Sequence, residues 1–196
     1  MPIGVPRVLF KPIGILEYHL WIDIYNRLYR DKILFLGQEI DTEISNQIIT
    51  IIIYFNIETE NEDINFFLNS SGGCIASGFS IFDTMQFSYL NIKTICYGLS
   101  TSMASIILVG GLIKKRLAFL HARIMIHQPS IAYFEGTTSE LILETEELLR
   151  LRILITEIYS QRTNKTFWII YNDMERDTYM SALESKLYGM IDIITK

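Results

Sequence analysis

One pattern constrains this chain more than any other. An apolar segment, a break rich in serine and glycine, and an apolar helix follow one another, and then do so again. Ile64–Leu68 (INFFL) reads as a strand, breaks at NSSGG (Asn69–Gly73) and enters a helix, IASGFSIFDTMQF (Ile75–Phe87). Ile92–Tyr97 (IKTICY) reads as a second strand, breaks at GLSTS and enters a second helix from Met103. Recurrence at about 30 residues predicts an α/β architecture. Its turns fall at strand C-termini, where such folds commonly place ligands. Further strands are expected at Lys32–Leu36, Arg116–Ala118, Arg123–Ile126 and Ile191–Ile194. A helix capped by Asp41 or Thr42 is expected to run to about Asn56, with Ile44, Ile48, Ile51, Ile52 and Phe55 on one face. Residues 1–20 hold three of the four prolines and read as an arm without regular structure, followed by a short helix over Trp21–Arg30.

A chain of 196 residues suits one domain with a sizeable core. The net charge of −5 argues against a general nucleic-acid binder, which would show a basic face. Cys74 and Cys96 lack the spacing of a zinc site or a disulfide framework, and they fit a reducing compartment. The longest apolar runs, Ile48–Ile53 and Ile106–Ile113, fall far short of the roughly 18 residues that span a bilayer. The opening MPIGVPRVLFKP has neither a signal-peptide core nor a transit-peptide composition.

Glu140–Gln161 departs from the repeat. ELILETEELLRLRILITEIYSQ is strongly helical, and roughly 33 Å of helix is long for the remaining body to cover. Leu141, Leu148, Leu151 and Ile155 form one stripe, while Leu149, Ile153 and Leu154 lie off it. Apolar residues on more than one face predict that another chain packs here. Asn164 and Lys165 end the helix, and a last helix or turn lies within MERDTYMSALESKLYGMID.

Three serines, Ser100, Ser102 and Ser105, lie in the second break and its helix, YGLSTSMASIILVGG. Serine is common at helix N-caps, so a nucleophile there needs a base, an acid and oxyanion donors. Ser100 fails the G-x-S-x-G pattern, because position 102 is serine. Ser102 sits where the turn enters the helix, so the N–H of Met103 is free and the helix dipole favours negative charge beside it. A second donor can come from the turn at Gly72 and Gly73. Of the three histidines, His19 lies in the arm and His121 opens the segment HAR. His127 ends the apolar strand IMIHQPS and is the best base. Asp83, Asp173, Asp177 and Asp192 all remain open as the acid.

At these residues the chain resembles the proteolytic subunits of the Clp protease family, along nearly its whole length. The resembling segments are FLGQEI (Phe35–Ile40), FLNSSGG (Phe67–Gly73), FDTMQF (Phe82–Phe87), TICYGLSTSMAS (Thr94–Ser105), RIMIHQP (Arg123–Pro129) and MERDTYMSALESKLYGMID (Met174–Asp192). MPIGVPRV and WIDIYNRLYR resemble the plastid-encoded branch.

The resemblance implies an α/β fold of Clp protease/crotonase type, a spiral of β-β-α repeats with a protruding handle helix at about residues 130–163. It implies residues 1–20 as an axial-pore arm and 21–196 as one serine peptidase domain. It implies Ser102 as nucleophile, His127 as base, Asp177 as acid, and the N–H groups of Gly73 and Met103 as the oxyanion hole. The partners implied are other proteolytic subunits in two stacked seven-subunit rings, an Hsp100-type Clp ATPase unfoldase, and unfolded protein substrates. Glu175 and Arg176 match a ring-to-ring contact. Phe67, Phe87, Tyr97 and Phe119 are candidates either for docking the ATPase or for core packing. No metal or cofactor is implied in this chain, since ATP is used by the unfoldase. No nucleic acid or membrane is implied, and the location would be the plastid stroma.

The chain departs from the family pattern at Ser71, where proline is usual, and at Ala104, where glycine is usual. Ser100 and Thr101 replace small residues. A subunit that assembles in mixed rings but cleaves little is one alternative. A crotonase-like acyl-CoA enzyme is another, and the Ser102–His127 pair argues against it.

Overall fold

The computed structural model describes residues 4–10, 20–58, 62–130 and 135–195. The two repeats form as expected, and what they build is a mostly parallel sheet. Five strands run in the order β3 (Ile33–Leu36), β4 (Ile64–Ser70), β5 (Ile92–Thr101), β6 (Arg116–Phe119) and β9 (Ile193–Thr195), all parallel. Two more, β7 (Arg123–Ile126) and β8 (Thr178–Ser181), branch from β5. β3 and β4 alternate buried residues with half-buried or exposed ones, so one face of the sheet carries the core. Leu34, Leu36, Phe66, Leu68 and Cys96 are all buried.

Helices α2 (Thr42–Glu58), α3 (Ile75–Phe87) and α4 (Met103–Gly110) pack side by side, with α4 against β4 and β5. Asp41 caps α2 through its carboxylate, which accepts from the Ile44 N–H at 2.8 Å. Every residue of α4 is buried, so the helix that starts at Ser102 lies in the core rather than on its surface.

β5 is longer than its composition suggests. The expected turn at GLSTS is strand through Thr101. Tertiary pairing overrides the turn chemistry: Leu99–Thr101 bond to Arg123–Met125 of β7 on one edge, and Ser100 pairs with Ser70 on the other, after a register shift in β4. The amide of Asn69 completes the shift by accepting from the Leu99 N–H at 2.9 Å.

Two other expectations change. Within the arm expected to lack regular structure, Arg7–Phe10 (β1) pairs antiparallel with Leu20–Asp23 (β2), and the helix expected over Trp21–Arg30 shortens to Ile24–Arg30 (α1). Residues 1–3 and 11–19 of that arm, with His19, lie outside the described residues. The last segment holds β8 and α7 (Ala182–Tyr188), preceded by α6 (Phe167–Asp173), which sequence periodicity did not bring out.

The long helix α5 covers Thr138–Thr163 and opens on a capping box formed by Thr137 and Glu140. Asn164 ends it in the left-handed conformation, at φ 59°. Its buried residues, Ile155, Thr156, Tyr159 and Thr163, all lie in the last three turns. Leu141, Ile142, Leu143, Leu149, Ile153 and Leu154 are exposed, while Leu148 and Leu151 are half-buried. The expected apolar stripe therefore grades from buried at Ile155 to exposed at Leu141. Phe67 and Tyr97 are also half-buried, with Phe67 stacked on Phe35 at 5.2 Å, whereas Phe87 and Phe119 are exposed.

The C-terminal strand is tied in by charge. Buried Arg116 donates two bonds to Asp192, from Nε at 2.9 Å and from Nη2 at 2.7 Å. Burial raises the pKa of the Asp192 carboxyl, but the bonds and charge of Arg116, with the Lys114 and Arg116 amides, lower it further, so the net shift is downward. A carboxyl lowered on folding stabilises above its unfolded pKa and loses that contribution as pH falls through its folded value. Asp192→Ala should therefore destabilise the fold by about 3 kcal/mol in urea unfolding at pH 7, because it leaves a buried guanidinium unpaired. The deficit should shrink as the pH is taken below about 4.

Candidate active site

The branch in the sheet is what assembles the site. β5 ends at Thr101, paired with Met125 of β7, and the next N–H, that of Ser102, donates to the Met125 carbonyl at 3.1 Å. β7 ends one residue later at Ile126, paired with Thr178 of β8. One further step of that antiparallel register sets His127 opposite Asp177. Three strand ends thus deliver three side chains to one place.

His127 Nδ1 lies 3.0 Å from Asp177 Oδ1, and His127 Nε2 lies 3.0 Å from Ser102 Oγ. A carboxylate can only accept, so the ring proton sits on Nδ1 and Nε2 is left to accept from the serine hydroxyl. The other acids left open by the sequence are occupied elsewhere or distant. Asp173 accepts from the Tyr188 hydroxyl at 2.8 Å, Asp192 holds Arg116, and Asp83 lies exposed on α3. His121 is exposed on the turn between β6 and β7.

Ser102 adopts φ 53°, ψ −126°, a conformation that L-residues avoid and that costs of order 1–3 kcal/mol where structure enforces it. The enforcing contacts are the Ser102 N–H on β7 and the Ser102 carbonyl, which accepts from the Ser105 N–H at 3.0 Å and the Ser105 Oγ at 2.6 Å. Met103 opens α4, so its N–H has no intrahelical acceptor. Gly73 lies on the neighbouring turn. There the Ile40 N–H donates to the Gly72 carbonyl and the Cys74 N–H to the Ile40 carbonyl, which leaves the Gly73 N–H outside that pairing. Ser71, Gly73, Ser102, Met103, His127, Ile155 and Tyr159 line one cavity of about 190 Å³.

The departures from the family pattern cluster at these turns. The Thr101 hydroxyl donates to the Ser71 carbonyl at 2.8 Å, which ties the two turns together. Ala104 places its methyl in the core, fully buried, and the buried Ser100 Oγ has no hydrogen-bond partner among the described residues. Glu175 and Arg176 are exposed, immediately before Asp177. Tyr159, on α5, was not anticipated at the site. The one signal for it is a tyrosine on the buried face of an otherwise aliphatic helix, since a buried phenol needs a partner.

A serine, histidine and aspartate bonded in series at the C-terminal ends of a parallel sheet, next to free backbone N–H groups, define a serine hydrolase of α/β class. Residues 17–196 match the family model described as Clp protease, and the chain belongs to that family of serine endopeptidases, as a proteolytic subunit. It is 56% identical to a protein of Arabidopsis thaliana named chloroplastic ATP-dependent Clp protease proteolytic subunit 1, over 99% of this chain and 98% of that one. It is 55% and 54% identical, with the same coverage, to ATP-dependent Clp protease proteolytic subunits of Glycine max and Vitis vinifera. The family's proteolytic subunits use no cofactor, and ATP is consumed by a partner ATPase.

Gly72 tests how closely the two turns are fitted. At φ 92°, a Cβ added there would lie 2.7 Å from Ser102 Cβ and 2.8 Å from the Thr101 carbonyl oxygen, so the turn or the serine must move. Gly72→Ala should lower the cleavage rate of a fluorogenic peptide by about 10², while circular dichroism shows the fold retained.

Proposed function

We propose that this chain is a catalytically competent subunit of a Clp particle, with Ser102 as nucleophile, His127 as general base and Asp177 as orienting acid. His127 Nε2 takes the proton of Ser102 Oγ as that oxygen attacks the carbonyl carbon of a peptide bond. Asp177 holds the imidazole in the productive tautomer and stabilises the imidazolium. The tetrahedral oxyanion is held by the N–H groups of Gly73 and Met103. His127 then donates the proton to the leaving amine, an acyl-enzyme forms on Ser102, and water activated by the same base releases the product. The observation that carries this reading is the unbroken bonding from Asp177 through His127 to Ser102, at 3.0 Å in each step.

The assembly is two stacked seven-subunit rings enclosing the sites. The exposed leucines and isoleucines of α5 support it, because isolated chains rarely leave so many large apolar side chains on one helix in water. On this reading α5, with the segment before it, is the handle between rings, and Glu175 and Arg176 contact the opposite ring. Residues 1–20 form the axial-pore arm, residues 21–196 the peptidase domain, and unfolded proteins are the substrates. An Hsp100-type Clp ATPase docks on the ring face. Exposed Phe87 and Phe119 and the aromatic row of Phe35, Phe67 and Tyr97 offer it apolar contact. The name of the Arabidopsis relative supports placement in the chloroplast.

The reading is tested by labelling the assembled particle with a fluorophosphonate and mapping the adduct. An adduct on Ser102, absent in Ser102→Ala, is expected, with peptide cleavage by that variant lowered by at least about 10³ and assembly unchanged. Cleavage by Ser102→Ala at the wild-type rate would overturn the assignment. The double variant Leu148→Glu, Leu151→Glu should halve the particle mass in analytical ultracentrifugation, and an unchanged mass removes the ring-interface role of α5.

A further inference from the structure

The hydroxyl of Tyr159 is a polar atom in the core that the triad does not use. Tyr159 is 1% exposed, on the inner face of α5, one turn from Ile155. Burial pushes its phenol far above its ordinary pKa, against the opposing pull of its hydrogen bond with Ser105, so it stays a neutral donor. That bond joins Tyr159 Oη and Ser105 Oγ at 2.7 Å, and Ser105 Oγ reaches the Ser102 carbonyl oxygen at 2.6 Å. A carbonyl can only accept, so the single hydroxyl proton of Ser105 goes to Ser102. The Tyr159 hydroxyl must then donate to Ser105. The relay runs one way, from the long helix to the backbone of the serine at the head of the triad.

The atom it reaches is chemically placed. The carbonyl of Ser102 and the N–H of Met103 belong to one rigid trans peptide unit and point in opposite directions. Pinning the carbonyl into the core therefore aims the Met103 N–H outward, into the cavity beside Ser102 Oγ. Pinning is needed because Ser102 holds φ 53°, ψ −126°, which an unconstrained residue would leave by rotating this same peptide plane.

We propose that Tyr159 and Ser105 are positioning residues that hold the Ser102–Met103 peptide plane so that the Met103 N–H faces the developing oxyanion. The proposal rests on the reading of Ser102 as nucleophile. Neither side chain touches substrate. Both act through the peptide plane, and so on kcat rather than on KM, because an oxyanion donor acts mainly in the transition state.

The test uses the assembled particle, with active sites counted by fluorophosphonate titration and rates expressed per titrated site. Ser105→Ala removes a single oxygen atom from a buried position and should lower kcat about tenfold, with KM unchanged. Tyr159→Phe leaves the Ser105 bond to Ser102 in place without its support and should lower kcat about threefold. The double variant should be no slower than Ser105→Ala alone, because the two act in series. The midpoint of the kcat/KM pH profile should stay where it is, since His127 and Asp177 are untouched. A purely structural role would reduce the number of titratable sites and leave kcat per site unchanged, which would overturn the proposal. Effects that multiply in the double variant would overturn the series arrangement. A wild-type particle that neither labels nor cleaves would overturn the site reading and the proposal with it. A wild type that labels while both variants keep its kcat removes the proposal alone.

Discussion

The pairing of β5 with two different strands along one edge is the constraint on which the rest depends. β4 occupies one edge over nearly the whole length of β5. On the other edge β6 pairs with Thr94–Cys96, and β7 takes over at Leu99–Thr101. That change of partner opens the sheet at its C-terminal end. It lets β7 recruit β8 in antiparallel sense, and the antiparallel ladder is what carries Asp177 back to His127. A β7 paired one residue out of register would turn His127 to the other face of the sheet and break its contact with Ser102. The 3.0 Å contacts that join Asp177, His127 and Ser102 are thus consequences of backbone pairing decided several residues away.

Much of this was legible in the sequence, and for physical reasons. Ile75–Phe87 is a helix with the bounds its periodicity predicts, and the start of α4 at Met103 follows from the serine-rich break before it. The mostly parallel sheet matches the Clp protease/crotonase-type spiral of repeats, and family membership is shown over nearly the whole chain. Scarcity made His127 the best base, because only three histidines exist and one ends a buried strand. Which aspartate stands against His127 was not legible from composition. Asp173, Asp177 and Asp192 lie close together in the sequence, and only the β7–β8 register and the claims of Tyr188 and Arg116 separate them. The extension of β5 through GLST was missed because glycine and serine signal a turn locally. β1 was missed because short two-stranded pairings carry little pattern, and they are stabilised by what they pack on, here α1.

Two of the residues at which the chain departs from the resembled pattern, Ser71 and Thr101, meet across the two turns. Serine at position 71 gives up the fixed φ of proline, which would otherwise stiffen the turn before Gly72 and Gly73. Thr101, also a departure, donates its hydroxyl to the Ser71 carbonyl across the gap between the turns. That bond ties the two turns together. Gly72 and Gly73 keep positive φ, at 92° and 147°, so the geometry that exposes the Gly73 N–H is retained. Ala104 is fully buried in the core, and its neighbour Ser105 is the residue that bonds the Ser102 carbonyl.

Of the three side chains bonded in series, Asp177 is less protected than His127. The Asp177 side chain is 59% exposed while that of His127 is 26% exposed, so water competes for the carboxylate in a single chain. A hydrogen bond between partly solvated groups is weak, whereas the same bond under a covering chain is strengthened by the loss of competing water. Glu175 and Arg176, directly before Asp177, are exposed as well, and so is most of α5. A second ring seated on these residues would cover the solvent side of the acid at the same time as it buries the leucines of the long helix. The geometry that joins Asp177, His127 and Ser102 belongs to one chain.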